Sequence, residues 1–318
     1  MCLLDSSTKL LLHGDDLTDS SLHKTPLTNQ GVVVSSDQSK FGGKSLYFDG
    51  SSRLLFPSSA MVFGDADFTI DWWEYCTSPN AGARFSSFYC ANLPTTWGGI
   101  LVGYQGKAVY ASSILSSWDI ASGAQMLSVT PNEWVHWALV RGAGVAKTYR
   151  NGILFATTNM AGSLSSDAAV PMAVGDYREG DHSCFIGYID EFRITQKAVW
   201  TDNFTPPNRP YFFLGDIAQI TVIPQYLKEQ ETIHLSWEEA AGEGVTYTLE
   251  RQVNGGDYEV AYTGGSCTFS EEAQNGWKTV RYRVKPLIDQ TQGNYRESSI
   301  VRVYRISGYA GRIIGGGM

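Results

Sequence analysis

The chain is short of basic residues. Lys and Arg number 24 against 32 Asp and Glu, a net charge of −8 over 318 residues. A general nucleic-acid binder needs clustered cations to displace phosphate counterions, so no nucleic-acid partner is expected. Long apolar runs are missing as well. No stretch approaches the roughly 20 residues that cross a bilayer as a helix, and no membrane span is expected. Cysteine is sparse: Cys2, Cys76, Cys90, Cys184 and Cys267 show no Cys-x-x-Cys spacing, which argues against a zinc framework. Reduced, mostly buried thiols are the simplest reading, and a Cys76–Cys90 bridge stays open. The opening MCLLDSSTKLLLHGDD has no basic n-region, only a short apolar run at Leu10–Leu12, and no cleavage site. Synthesis in the cytoplasm without a secretory signal is therefore expected. Segments with a sustained helical period are absent too.

What is present favours strands. Hydrophobic residues make up 43% and charged residues 18%, enough to build a packed core. Glycine (33) and aromatics (9 Trp, 17 Tyr, 14 Phe) are abundant, the mix of turns and pleated surfaces. Strand signals recur at Gly31–Val34, Ser45–Phe48, Phe68–Tyr75, Glu133–Arg141 and Phe185–Thr195. Lys147–Arg150 and Ile153–Ala156 flank Asn151-Gly152, a strong hairpin signal. The segment TPPNRPYFFLGD, near 205–216, carries three of the eleven prolines and marks a boundary. Beyond it, strand runs at Ala218–Ile223, Thr232–Trp237, Thr246–Val253, Tyr258–Thr263, Val280–Pro286 and Ile300–Arg305 fit a smaller immunoglobulin-like sandwich. The expected layout is an all-β chain: a jelly-roll sandwich over 1–208, a linker at 209–215, a second sandwich over 216–306 and a Gly-rich tail over 307–318.

Five pieces in order carry a resemblance: LLLHGDDLTDSS (Leu10–Ser21), KFGGKSLYFDGSSRLLFP (Lys40–Pro57), FGDADFTIDWWEY (Phe63–Tyr75), EWVHWALVRGAGVAKTYRNGILFA (Glu133–Ala156) and IGYIDEFRITQKAVWTDNFTPP (Ile186–Pro207). Together they resemble the laminin-G-like jelly roll of the concanavalin A-like superfamily. The variant with LLLHGDD at the start and NFTPP at the exit is similar to domains of bacteriophage structural proteins. The second part resembles a fibronectin type III domain, with Trp237 and Tyr282 at its strand-B and strand-F aromatic positions.

The resemblance implies a structural Ca²⁺ on one rim. Antiparallel pairing of the first and last strands would bring Asp15, Asp16 and Asp19 toward Asp190 and Glu191, hard oxygen ligands of the kind calcium takes. The alternative is a set of solvated turn aspartates with a strand-end ion pair to Arg193. Asp190 and Glu191 are adjacent and would point to opposite faces of a regular strand. Trp72, Trp73, Trp134, Trp137 and Phe192 sit in strand runs and are assigned to the core. Trp97, Tyr104, Tyr110 and Trp118 fall in the Gly/Ser-rich stretch 92–123, where the resemblance is poorest. Exposed aromatics there suit sugar rings, and relatives of this fold bind glycans on a concave face or a rim. The loop with Asp176, Tyr177, Arg178, Asp181 and His182 precedes the closing strand and is a further candidate contact.

Catalytic patterns are thin. His13, His23, His136, His182 and His234 are scattered outside any H-E-x-x-H pattern, and no G-x-S-x-G elbow or Walker loop occurs. The Glu-x-Asp-x-x-Glu strand of glycan-cleaving relatives is absent, and nothing in the sequence sets Asp65 or Asp67 opposite Glu133 as an acid pair. The expectation is a non-enzymatic virion protein in multi-copy assembly (tail fibre, baseplate appendage or capsid decoration). It would bind host-surface glycan or a neighbouring virion protein, with the tail pair Ile313-Ile314 as one possible attachment. The alternative is a secreted or surface-bound carbohydrate-binding or adhesion protein, found outside the cell. A glycan-cleaving enzyme is the third reading.

Overall fold

The computed structural model describes residues 3–58, 62–78, 85–86, 98–114, 117–166, 170–175, 185–213, 217, 219–240, 244–288 and 291–305. Among the described residues there is no α-helix. The chain divides into two units, Met1–Tyr211 and Phe212–Met318. Tyr211, inside the segment read as linker, is buried in the first of them.

The first unit stacks two antiparallel sheets. One runs, in spatial order, through Ala121–Gln125, Ala108–Ala111, Ile100–Tyr104, Phe85–Ser86, Met172–Val174, Arg53–Phe56 and Thr28–Gln30. The other runs through Ile153–Asn159, Val145–Arg150, Trp134–Gly142, Phe68–Cys76, Ile186–Thr195, Ser45–Asp49 and Val33–Ser35. The opening strand Thr8–Leu12 also pairs with the closing strand, Leu12 opposite Phe192. Residues of period two from both sheets meet in one core, with Leu10, Phe48, Ile70, Trp72, Val102, Trp137 and Phe192 among its buried members.

The second face of the larger sheet explains why Phe68–Cys76 is bulky at every position. Phe68, Ile70, Trp72 and Cys76 point into the core. Thr69 and Asp71 on the opposite, outer face are equally buried, because the exit segment 196–211 folds back over that half of the sheet. Ala198, Trp200 and Phe204 pack on Ala138, Val140 and Tyr149. The Thr69 hydroxyl donates to the Lys197 carbonyl at 2.8 Å and accepts from the Val199 N–H at 2.9 Å. Two expected core residues belong instead to this outer face. Trp73 is buried there beside His136, ring centroids 5.1 Å apart, and Trp134 is only half-buried. An apolar strand with two covered faces cannot show alternation, so sequence alone could not separate them.

The Asn151-Gly152 hairpin also anchors the exit segment. Asn151 (φ 49°) and Gly152 (φ 78°) take the left-handed pair that a two-residue turn needs. The Phe204 N–H donates to the Gly152 carbonyl at 2.8 Å. A methyl group on Gly152 would sit 1.8 Å from the Phe204 carbonyl oxygen.

The second unit has a sheet of Ile220–Ile223, Thr232–Trp237 and Thr268–Glu272, and another built on Tyr226–Lys228, Val301–Tyr304, Thr279–Ile288, Thr246–Val253 and Tyr258–Gly264. Thr279–Ile288 alternates half-buried and buried along its whole length. Trp237 packs edge-on against Tyr247 at 5.6 Å. Tyr282 is fully buried and its hydroxyl donates to Glu271 at 2.6 Å. The tail with Ile313 and Ile314 lies outside the described residues.

Gly152→Ala is expected to cost about 1–3 kcal/mol, more than a surface Gly→Ala change, and to loosen the exit segment. A lowered Tm with faster proteolysis after residue 196 checks this; an unchanged Tm refutes it.

Candidate functional site

The predicted calcium carboxylates do not converge as a set of five. Asp19 is buried and spent on its own loop, accepting from the N–H groups of Leu11 (3.0 Å), Ser21 (2.8 Å) and Thr25 (2.7 Å) and from the Ser21 hydroxyl (2.7 Å). Asp16 caps the turn at Thr18, 2.9 Å from its N–H. Glu191 is bound on both oxygens, by His13 Nδ1 at 2.7 Å and by the Tyr211 N–H at 2.7 Å. Asp15 and Asp190 remain, both at the loop that includes residues 39–43. Asp190 Oδ2 accepts the N–H groups of Lys40 (2.8 Å) and Phe41 (3.1 Å). Asp15 presses on Gly42, where an added methyl would lie 2.7 Å from Asp15 Oδ1. Among the described residues no group of three or more His, Cys, Asp or Glu is arranged to hold a metal ion.

Asp190 nevertheless has an unfinished side. Its Oδ1 is buried with no hydrogen-bond partner. Burial pushes its carboxyl up to about 7, against the two N–H donors, and the charges of Glu191 and Asp15 add to the rise. The Lys40 ammonium sits over the Trp73 ring at 3.8 Å. Two carboxylates with one buried, unpartnered oxygen are hard donors of the kind calcium takes, and Asp190 with Asp15 are the residues that would hold such an ion.

The expectation that Asp190 and Glu191 point to opposite faces is corrected by a bulge. Register slips between Asp190 and Arg193, and Glu191 takes φ 51°. One extra residue re-aims the chain, so Asp190, opposite Trp73, and Glu191, bonded to Tyr211, both face outward. Arg193 pairs with Asp71, Nε to Oδ1 at 2.8 Å.

That pair centres a buried polar cluster under the exit segment. Asp71 Oδ2 also accepts from the Tyr211 hydroxyl and lies 3.4 Å from His136 Nε2. The Arg193 guanidinium stacks on the Tyr211 ring at 4.0 Å. Burial alone would raise the Asp71 carboxyl, but the Arg193 charge, then His136 and Tyr211, hold it below its usual value. Burial lowers His136 despite Asp71, and burial lifts Tyr211 well above an ordinary phenol. Sequence reading missed this cluster. The available signal was charge within largely apolar strand runs, at Asp71 in one and at Arg193 in the other.

The aromatic candidates divide. Trp97, Asp176, Tyr177, Arg178, Asp181 and His182 lie outside the described residues. Tyr104, Tyr110 and Trp118 come together as half-buried rings on the smaller sheet. Tyr104 meets Tyr110 at 5.8 Å, and Tyr110 meets Trp118 at 5.3 Å. Tyr110 lies over Gly123, where an added methyl would be 3.0 Å from its hydroxyl. Beside Trp118, the exposed Asp119 accepts the Ser113 N–H at 2.9 Å; bonding from Ser113 keeps its carboxyl below the ordinary range. Unforeseen in the sequence are Tyr47, Tyr75 and Tyr188, which join Trp134 in a row on the outer face of the larger sheet.

A two-sheet jelly roll whose opening strand pairs with its closing strand defines the class. Residues 32–203 match the family model described as the concanavalin A-like lectin/glucanases superfamily, and the chain belongs to that family. No curated protein sequence matches it. Among solved structures, domain 4 of AbnA, a GH43 extracellular arabinanase from Geobacillus stearothermophilus, determined with arabinotriose, is similar at 19% identity and TM-score 0.46, covering 61% of this chain and 94% of that one. The carbohydrate binding module CBM66 from Bacillus subtilis is similar at 13% identity and TM-score 0.29, covering 54% and 96%. Trypanosoma rangeli sialidase is similar at 9% identity and TM-score 0.42, covering 62% of this chain and 32% of the sialidase, so the likeness spans about a third of that protein.

Removing Asp71 takes away the carboxylate that Arg193, His136 and Tyr211 share in the buried cluster, so Asp71→Ala is expected to cost about 3–5 kcal/mol, read from denaturant unfolding. His136 has a lowered value in the fold, so the unfolded chain takes up a proton that the fold refuses as pH drops below about 6.5. The stability of the wild type relative to His136→Gln should therefore fall between pH 7 and pH 5; a constant difference would contradict the buried neutral imidazole.

Proposed function

We propose that the chain is a non-catalytic carbohydrate-binding protein that contacts glycan through Tyr104, Tyr110 and Trp118. The observation that carries this reading is the juxtaposition of those three rings, half-exposed and mutually braced, on a domain of a lectin-type superfamily. Braced rings lose little entropy when a sugar stacks on them. The Asp119 carboxylate beside Trp118 supplies a fixed acceptor for a ligand hydroxyl. A single such site binds weakly, and repeated copies raise avidity through effective concentration.

Calcium belongs to this reading as a structural ion held by Asp190 and Asp15. It would supply the countercharge that Asp190 Oδ1 lacks and tie the 39–43 loop to the closing strand. The second unit serves as spacer or dock, in keeping with its fibronectin-like sequence. Placement on a virion rests on the sequence resemblance; the superfamily match favours the carbohydrate-binding reading without it.

A glycan array read with and without EDTA tests ligand class and calcium together. Tyr110→Ala and Trp118→Ala should each weaken binding about tenfold with Tm little changed. Binding that survives both changes would remove these rings from the site. EDTA should lower the Tm and added Ca²⁺ restore it in the wild type, with no response in Asp190→Asn; indifference of the wild type to EDTA would remove the ion. New reducing ends on a polysaccharide panel would overturn the non-catalytic reading.

A further inference from the structure

The exit segment covers only one half of the outer face of the larger sheet. Along Phe68–Cys76 the outward side chains grade from Thr69 and Asp71, sealed beneath it, through Trp73 to half-buried Tyr75. In the uncovered half, five residues stand directly opposite one another on five successive strands. Val33 faces Tyr47, Tyr47 faces Tyr188, Tyr188 faces Tyr75 and Tyr75 faces Trp134. The ring centroids are 5.0 Å apart from Tyr47 to Tyr188, 6.1 Å from Tyr188 to Tyr75 and 5.7 Å from Tyr75 to Trp134. All four rings are half-buried, and Val33 at the open end is 55% exposed.

Strands about 4.8 Å apart make this row about 19 Å long, at right angles to the strand direction. Direct cross-strand aromatic pairs stabilise a sheet, but a row used only for that purpose has no need to stay open to solvent beside a half-face that is covered. Its geometry differs from that of the Tyr110 cluster. The Tyr110 rings gather at one spot, whereas these lie in line, one per strand. Charged groups lie near the middle of the row and at its Trp134 end. Asp37 lies close enough to add to the burial that raises the Tyr188 hydroxyl. Glu133, next to Trp134, is paired with Arg150 at 2.7 Å. Asp37 and the net charge of −8 oppose a polyanion.

We propose that the row Val33–Tyr47–Tyr188–Tyr75–Trp134 is a second ligand face, which binds an extended, neutral polysaccharide chain lying across the strands. Successive sugar rings stack on successive aromatics, while hydroxyls at the chain edge meet the tyrosine hydroxyls and Asp37. The inference rests on the reading of the protein as a carbohydrate binder but not on the Tyr110 site. A chain with both faces would bridge two glycan segments.

Affinity electrophoresis of the full chain tests it, in gels containing hydroxyethylcellulose, xyloglucan, galactomannan or debranched arabinan, with polygalacturonate as the acidic arm. At least one neutral polymer should retard the wild type and polygalacturonate should not. Tyr75→Ala with Tyr188→Ala should weaken that retardation at least about tenfold, while Tyr75→Phe with Tyr188→Phe, which keeps the rings, should retain most of it. Melting curves of the Phe pair and the Ala pair establish that both are folded. Failure of every neutral polymer to retard the wild type overturns the proposal, as does retardation that survives the Ala pair. Retardation lost in Tyr110→Ala but not in the Ala pair also overturns it, while supporting the glycan site on the smaller sheet.

Discussion

A carboxylate sealed under the exit segment is the constraint on which the first unit depends. Asp71 stands in the middle of a strand with apolar neighbours, and leaving it unpaired there would be prohibitive. Arg193 on the closing strand, His136 on the strand to its other side and Tyr211 at the end of the exit segment all converge on it. These partners come from three places far apart in sequence. The ion pair therefore orders the centre of the sheet, and the Tyr211 hydroxyl ties down the last residue of the unit. Buried pairs of this kind are poor sources of net stability and good sources of uniqueness. Another register of the closing strand would separate Arg193 from Asp71.

The cluster also divides the outer face. The exit segment must reach Tyr211 to Asp71, and it covers Ala138, Val140 and Tyr149 on the way. The far half of the same sheet keeps its aromatics open to solvent. A bulge at Glu191 lies where the two halves meet and turns that carboxylate outward beside Asp190, Glu191 closing the exit segment through the Tyr211 N–H and Asp190 holding the loop at Lys40–Phe41. The closure made by Glu191 is thus a consequence of one extra residue in one strand, while Asp190 faces outward by the regular register that precedes it.

Much of the fold was legible residue by residue. Asn151-Gly152 specified a hairpin because a left-handed pair suits few other dipeptides, and the alternation in Thr279–Ile288 announced a strand with one face inward. The tryptophans were harder. Trp72 and Trp73 read alike in a run that is buried on both faces, and what separates them is a segment more than a hundred residues away. The aromatic row was illegible for the same reason. Tyr47, Tyr75 and Tyr188 are unremarkable singly, and their alignment is a property of strand order and register.

The sequence by itself determined the all-β class, the Asn151-Gly152 turn and the family, because each follows from local stereochemistry or from motifs in order along the chain. Only the tertiary structure decided which charges meet, that Asp190 and Glu191 share a face, that Asp16 and Asp19 are consumed by their own loops, and where aromatics remain open. Those outcomes hang on pairing between distant strands and on what lies over the sheet, and neither leaves a local trace in the order of residues.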